Sequence, residues 1–263
     1  IGMSGIALVL LEKGFSVSGS DITQNDRLKE IRNKGGIVFD YQEPQNIDLL
    51  KNKFNLKNIT IVISSSIGNE NKELNYCIDK KLSIKHRSEI LSLIMESFVS
   101  IAVAGSHGKT STSTFLTTLI DLCTKNTSSI IGGIIPKYKS NTIIKNSRYL
   151  VAEIDESDGT TFRYSPYLGI INNIDFDHCD YYSNIKELIK KFNKFGSNSN
   201  KLLTNYDCKT TRENITSDYK WSIQETKNIN FAMIPKTFDS EYTIADYYED
   251  GKSITRINIP IPG

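Results

Sequence analysis

Residues 104–113 read Ala-Gly-Ser-His-Gly-Lys-Thr-Ser-Thr-Ser, or AGSHGKTSTS. They follow the apolar run FVSIAVA (98–104) and precede TFLTTLIDLC (114–123), which has helical spacing. A strand, a G-x-x-G-K-T turn and a helix, in that order, make a phosphate-binding loop. Gly105 and Gly108 allow the backbone to turn so that successive N–H groups point at phosphate oxygens. The helix starting near Lys109 adds its positive dipole end. Lys109 reaches the β- and γ-phosphates, and the Thr110 hydroxyl holds Mg²⁺. The loop departs from the standard G-x-x-x-x-G-K-[ST] pattern, because Val103 stands where its first glycine would be. The competing reading is a glycine-rich turn that binds nothing. That reading leaves the matched lysine and threonine unexplained. His107 lies within the loop, where bracing suits it better than catalysis.

Two acidic clusters lie further on. YLVAEIDESDGTTF (149–162) places Glu153, Asp155, Glu156 and Asp158 at the end of an apolar strand. LGIINNIDFDHCDYY (168–182) places Asp175, Asp177, His178 and Asp180 at the end of another. In a parallel α/β sheet the strand C-termini share one edge, and ligands bind there. Phosphates bring Mg²⁺, which takes oxygen ligands, commonly one or two carboxylates plus phosphate and water. Any one of these acids alone is better read as a helix cap or a solvated turn. The set, at matched strand ends, is better read as a metal site.

Upstream, residues 1–97 alternate helix and strand. IGMSGIALVLLEKGF reads as a glycine turn entering a helix, FSVSGSD as a strand ending at Asp21, and Asp26–Lys34 as a polar helix. GIVFD and ITIVISSS are strands, followed by helices over Glu70–Lys81 and HRSEILSLIME. This alternation predicts a parallel sheet with helices on both faces. A helix start with Gly2 and Gly5, and an acid about 20 residues on, resembles a dinucleotide-binding arrangement. Downstream of the loop, helices are expected over Thr110–Cys123 and Ile185–Phe195, and short strands at KLLTN and YKWSI. From Ile229 the segments NFAMI, EYTIADYY and SITRINIPI alternate without helices, which predicts an antiparallel sheet or edge.

The 263 residues are 38% hydrophobic and 24% charged with a formal net charge of +2, as expected of a globular chain with a proper core. A basic surface for nucleic acid is not indicated. Cys77, Cys123, Cys179 and Cys208 form no close pair, which reads as unpaired thiols in a reducing cytoplasm. No apolar run approaches the ~18–20 residues of a membrane span. Ile1 opens the chain and Gly263 closes it after INIPIP, so both ends read as cut.

The motifs IGMSGIA (1–7), SGSD (18–21), SSSI (64–67), RSEIL (87–91), AVAGSHGKTSTS (102–113), IGG (131–133), VAEIDESD (151–158) and NIDFDHCD (173–180) together resemble the Mur ligases, in order and at similar spacing. The resemblance covers essentially the whole chain and is clearest over Ile101–Tyr182. It implies an α/β fold with a Rossmann-like, parallel-sheet, UDP-sugar-binding domain over 1–97, its first strand missing. A P-loop, ATP-binding central domain follows over 98–263, incomplete at its C-terminal end and carrying a small antiparallel sheet. It also implies a third domain, absent here, so that the fragment alone would be inactive.

By this resemblance Gly105, Ser106, His107, Gly108, Lys109, Thr110 and Ser111 bind ATP. Thr110, Ser111, Glu153 and His178 hold Mg²⁺, and Lys109, Glu153 and His178 serve catalysis. Glu156, Ser157 and Asp158 meet the muramate, while Gly2, Ser4, Asp21, Ser64, Ser65 and Arg87 hold the UDP portion. Asn141-Thr142-Ile143 stands where the family has Asn-Ala-Arg, so the resemblance does not carry over the contact that this arginine makes with substrate phosphate.

The implied cytoplasmic reaction joins L-alanine to the lactyl carboxylate of UDP-N-acetylmuramate through an acyl phosphate. It belongs to peptidoglycan synthesis and involves neither nucleic acid nor membrane. A rival within the family adds a tripeptide to the same sugar nucleotide during wall recycling. Folate polyglutamylation shares the loop but not the Rossmann-like domain ahead of it. An NAD-dependent oxidoreductase leaves the loop and the acids unexplained. A nucleotide-binding module without ligase chemistry is the remaining alternative, although no N-K-x-D guanine motif is present.

Overall fold

The computed structural model describes residues 2–23, 25–155, 160, 163–176, 182–238 and 240–260. Its elements begin with α1 (Gly2–Glu12), β1 (Ser18–Ser20), α2 (Asp26–Asn33), β2 (Ile37–Phe39) and α3 (Gln45–Lys51). Next come β3 (Thr60–Ile63), α4 (Lys72–Asp79), β4 (Ser83–His86), α5 (Arg87–Glu96), β5 (Val99–Ala104) and α6 (Lys109–Thr124). They continue with β6 (Thr127–Ile135), β7 (Ser140–Ile143), β8 (Tyr149–Glu153), β9 (Leu168–Ile171), α7 (Ile185–Asn198) and β10 (Lys201–Asn205). The last are α8 (Lys209–Asn214), β11 (Tyr219–Ser222), β12 (Phe231–Phe238), β13 (Thr243–Glu249) and β14 (Lys252–Ile259). By contact density the chain divides into two units. One comprises Ile1–Phe98 with Thr114–Val151, the other Val99–Ser113 with Ala152–Gly263.

In the first unit, asparagines set the helix starts. Asn25 Oδ1 accepts the N–H groups of Arg27 and Leu28 at 3.0 and 3.1 Å, and Asn71 Oδ1 accepts that of Leu74 at 2.9 Å. Each satisfies donors that a helix start leaves without a backbone partner. β1 pairs parallel with β2, and β3 pairs parallel with β4. The expected parallel pairing is therefore present, as two two-stranded sheets. α1 buries Ile6, Leu8 and Val9, and Leu8 packs with Leu28 and Ile31 of α2.

The antiparallel hairpin β6–β7 also belongs to this unit. Its approach to α1 is close. A Cβ on Gly5 would stand 2.7 Å from Thr142 Oγ1 and 3.3 Å from Ile130 Cγ2.

In the second unit, β5, β9, β10, β11 and β12 are joined by parallel pairings. β13 and β14 then extend the sheet antiparallel from β12. The helix-free C-terminal stretch is thus the antiparallel edge of a mixed sheet rather than a sheet of its own. On the other side of β5, Ile154 N–H donates to Val103 O at 2.9 Å, bringing the end of β8 alongside. α7 is capped by Asn184 and buries Leu188, Phe192 and Phe195 completely. Full burial of one such side chain contributes about 1.5–3 kcal/mol.

Five elements were not anticipated from the sequence: α3, β4, β6, β7 and α8. β4 is four residues long and α8 six, and β6 carries Ser128, Ser129, Gly132 and Gly133, which read as loop residues.

Candidate functional site

The loop between β5 and α6 turns through two glycines in the left-handed region, Gly105 at φ +136° and Gly108 at φ +76°. Side chains are strained at both angles. Gly105 is also tight. A Cβ there would lie 3.1 Å from Asn172 Cβ and from Asn173 N and O.

The segment leaving β9 packs against this loop. Asn172 N–H donates to Ala104 O at 3.0 Å, and Ser106 N–H donates to Asn173 O at 3.2 Å. Asn173 Oδ1 accepts His107 N–H at 2.7 Å, while its Nδ2 donates to His107 O at 3.2 Å. Asn172 Nδ2 donates to Thr112 Oγ1 at 3.0 Å. Ser106 Oγ donates to Asp175 O and accepts Asp175 N–H, both at 2.9 Å. The His107 ring lies 4.0 Å from Asp175 Oδ2.

One expectation therefore changes. The N–H groups of Ser106 and His107 are engaged by Asn173 and do not point at a phosphate. The ladder of α6 begins with Thr112 N–H to Gly108 O at 3.0 Å. The donors of Gly108–Ser111 precede that ladder, at the positive end of the helix.

Three of the candidate side chains lie at this loop. Lys109 Nζ curls over the loop and donates to Gly105 O at 2.6 Å and Ser106 O at 3.3 Å. Thr110 Oγ1 donates to Glu153 Oε1 at 2.9 Å, with Oε2 at 3.1 Å. Glu153 ends β8, so two strand C-termini bring this hydroxyl and carboxylate together. Ser111 is exposed on the first turn of α6. Among the described residues no three His, Cys, Asp or Glu side chains cluster as a metal site of their own. The hard oxygens of Thr110 and Glu153 nevertheless fit Mg²⁺, which takes few protein ligands beside phosphate and water. His178, Glu156, Ser157 and Asp158 lie outside the described residues.

Gly2 opens α1 beside Arg87, whose Nη1 would be 3.0 Å from a Cβ at position 2. Ser65 Oγ lies 3.0 Å from His86 Nε2, and Ser64 Oγ 2.7 Å from Ser66 Oγ. Ser4 sits half-buried on α1. Asp21 follows β1, donates its N–H to Phe39 O, and accepts Thr23 N–H on Oδ1 at 2.8 Å. Sequence reasoning missed Asn172 and Asn173 as partners of the loop. The paired carboxamides after an apolar strand were the available signal, overlooked in favour of the acids beside them.

Residues 1–99 match the Mur ligase family, catalytic domain, and residues 103–263 match the Mur ligase middle domain. The chain is 57% identical over its whole length to a UDP-N-acetylmuramate–L-alanine ligase of Prochlorococcus marinus subsp. pastoris, covering 56% of that protein. It thus spans about half the length of the curated relatives it matches. Among solved structures, it resembles a UDP-N-acetylmuramate–alanine ligase from Thermotoga maritima with a TM-score of 0.83 and 22% identity, over 100% of this chain and 59% of that one. A UDP-N-acetylmuramate:L-alanyl-γ-D-glutamyl-meso-diaminopimelate ligase from Neisseria meningitides gives a TM-score of 0.84 and 20% identity, over 99% and 85%. At these identities the two structures speak for the fold alone.

Proposed function

Since the chain belongs to the Mur ligase family, we propose that it carries the sugar-nucleotide and ATP sites of a cytoplasmic peptidoglycan ligase that joins L-alanine to UDP-N-acetylmuramate. In this reading residues 1–97 hold the UDP portion and residues 98–263 hold ATP and Mg²⁺. The observation that carries it is the meeting of Lys109, Thr110 and Glu153 at the β5–α6 loop. The relative at 57% identity favours L-alanine as the added residue.

The chemistry requires an anionic carboxylate to approach an anionic phosphoryl group. Lys109 exchanges its carbonyl partners for phosphate oxygens and neutralises charge as it develops, usually the largest catalytic contribution. The α6 N-terminus holds the phosphates by its dipole. Thr110, Ser111, Glu153 and His178 would hold the metal, which screens the like charges. Asn173 keeps the loop in one shape, so that no reorganisation is needed during reaction. Glu156, Ser157 and Asp158 are proposed to meet the muramate. The lactyl carboxylate takes the γ-phosphoryl group as ADP leaves, and attack by the neutral L-alanine amine on that acyl phosphate then forms the amide, releases phosphate and a proton, and needs no side-chain nucleophile.

Phosphate release by the whole protein that carries this sequence tests the reading. It should require ATP, UDP-N-acetylmuramate and L-alanine together. Release that depends on the tripeptide instead would favour the recycling reaction. Turnover without the sugar nucleotide would contradict both.

A further inference from the structure

We propose that Asn172 is a positioning residue for ATP, acting through Thr112. The inference rests on the reading that the β5–α6 loop holds ATP. β9 pairs parallel with β5, with Ile171 opposite Ala104, so Asn172 stands level with Gly105, where the loop leaves its strand. The loop then closes around it. Asn172 N–H donates to Ala104 O at 3.0 Å. A Cβ at Gly105 would lie 3.1 Å from Asn172 Cβ, and one at Gly108 would lie 3.5 Å from Asn172 Nδ2. The residue is buried.

The carboxamide nitrogen carries two hydrogens. Nδ2 donates to Thr112 Oγ1 at 3.0 Å and, more weakly, to His107 O at 3.4 Å. One side chain thus ties the loop to the first turn of α6, whose ladder begins at Thr112 N–H. An ionised aspartate would have no hydrogen for either oxygen.

Two other side-chain bonds at this turn are made by groups that the ligand takes. Lys109 exchanges Gly105 O and Ser106 O for phosphate, and the Thr110–Glu153 bond gives way to the metal. ATP therefore removes those ties when the turn most needs to stay in place. The Asn172–Thr112 bond uses no group assigned to the ligand, so it survives binding. It holds the N–H donors of Gly108–Ser111 and the Thr110 hydroxyl in register with Glu153.

Thr112→Val keeps the shape and removes the acceptor, while Thr112→Ser keeps the hydroxyl. In the whole protein that carries this sequence, Thr112→Val should raise the Kd for ATP with Mg²⁺ about tenfold, because a buried donor is left unmet. Affinity for UDP-N-acetylmuramate should stay near wild type, and Thr112→Ser should restore ATP binding. Asn172→Ala should weaken ATP binding at least as much, and adding Thr112→Val to it should cost nothing further. Without ligand, the protection of the residue-112 amide against hydrogen exchange should fall about tenfold in both single variants.

Wild-type ATP affinity in Thr112→Val, an equal loss for both ligands, a serine that fails to rescue, or losses that multiply in the double variant would each overturn the proposal. Should Asn172→Ala fail to fold, the two Thr112 variants and the amide exchange of Thr112→Val still decide. A wild-type protein that binds no ATP would overturn the functional reading and the role of Asn172 with it. The fall in amide protection would then still test the Asn172–Thr112 bond.

Discussion

The Thr110 hydroxyl lies within hydrogen-bonding distance of both carboxylate oxygens of Glu153, at 2.9 and 3.1 Å. A hydroxyl carries one hydrogen, so one oxygen receives the bond and the other shares it weakly. Both groups are also oxygen ligands, and a hard cation would replace that hydrogen bond by ligating each of them. Glu153→Gln keeps the shape and removes the charge. The Mg²⁺ concentration giving half-maximal activity should rise about tenfold or more, with lower turnover, while UDP-N-acetylmuramate binding stays unchanged. A Mg²⁺ titration showing wild-type dependence would remove Glu153 from the metal site.

Asn173 pairs with both backbone groups of His107, as one peptide unit pairs with another. Asn173→Asp keeps the acceptor, loses the donor, and sets a negative charge beside the phosphate loop. ATP affinity should fall about tenfold to a hundredfold, from lost loop order and from repulsion of phosphate. High salt should recover part of the loss by screening. Calorimetric titration with ATP at two ionic strengths gives the answer. A salt-independent deficit would mean that the charge plays no part.

Thr117 is fully buried on α6, and its hydroxyl has no partner among the described residues. Valine has nearly the same shape without the polar atom. Thr117→Val should stabilise the protein by about 1 kcal/mol, since an unmet buried hydroxyl costs roughly that or more. Denaturant midpoints measure this. A loss of stability would reveal a partner for the hydroxyl, such as a bound water.

Gly5 and Thr142 leave no room for a methyl group between them. Alanine favours a helix by about 1 kcal/mol over glycine, yet Gly5→Ala should destabilise by about 1–2 kcal/mol through overpacking. Thr142→Ala in the same chain should return most of that loss by removing the clashing oxygen. Melting temperatures of the two single variants and the double variant test the coupling. Additive losses would mean that the helix shifts rather than meeting Thr142.

The elements legible in the sequence were those whose cause is local. Gly105 and Gly108 mark the loop because only glycine tolerates its backbone angles, and the α2 helix was placed from its own residues, Asp26–Lys34. The apolar runs of β5 and β9 announce buried parallel strands, whereas β3, which also reads as buried, is a parallel strand that is at most half-buried. What escaped depends on partners distant in sequence. Asn173 looks like any polar residue until β9 sets it beside the loop, 66 positions from His107. His86 reads as the first residue of the helix HRSEILSLIME until β4 pairs with β3 and Ser65 meets its ring. In β6 the pairs Ser128-Ser129 and Gly132-Gly133 interrupt an otherwise β-branched run, and the strand shows itself only once it pairs with β7.

Asp121 gathers three donors near the C-terminal end of α6, where the helix dipole disfavours an anion. Lys145 Nζ lies at 2.5 Å, the Tyr138 hydroxyl donates to Oδ2, and Lys137 Nζ lies at 3.3 Å. The Asp121 side chain is only 10% exposed, so water screens these bonds little. Lys145 first, then Tyr138 and Lys137, hold its pKa down to about 2, against a burial effect that pushes it up. A carboxylate with a lowered folded pKa contributes stability above its unfolded pKa, about 3.9, and loses it as pH falls through the folded value. Asp121→Asn should therefore destabilise by about 2–3 kcal/mol at neutral pH, because it leaves two lysines facing one another across a neutral group. The gap between wild type and variant should be flat above about pH 5 and should close between about pH 4 and pH 2. The other carboxylates are common to both proteins and cancel in the difference unless coupled to this site. Urea midpoints measured across that range give the curve. A gap that persists unchanged at pH 2 would mean that Asp121 acts by packing and neutral hydrogen bonding, and that its charge contributes nothing.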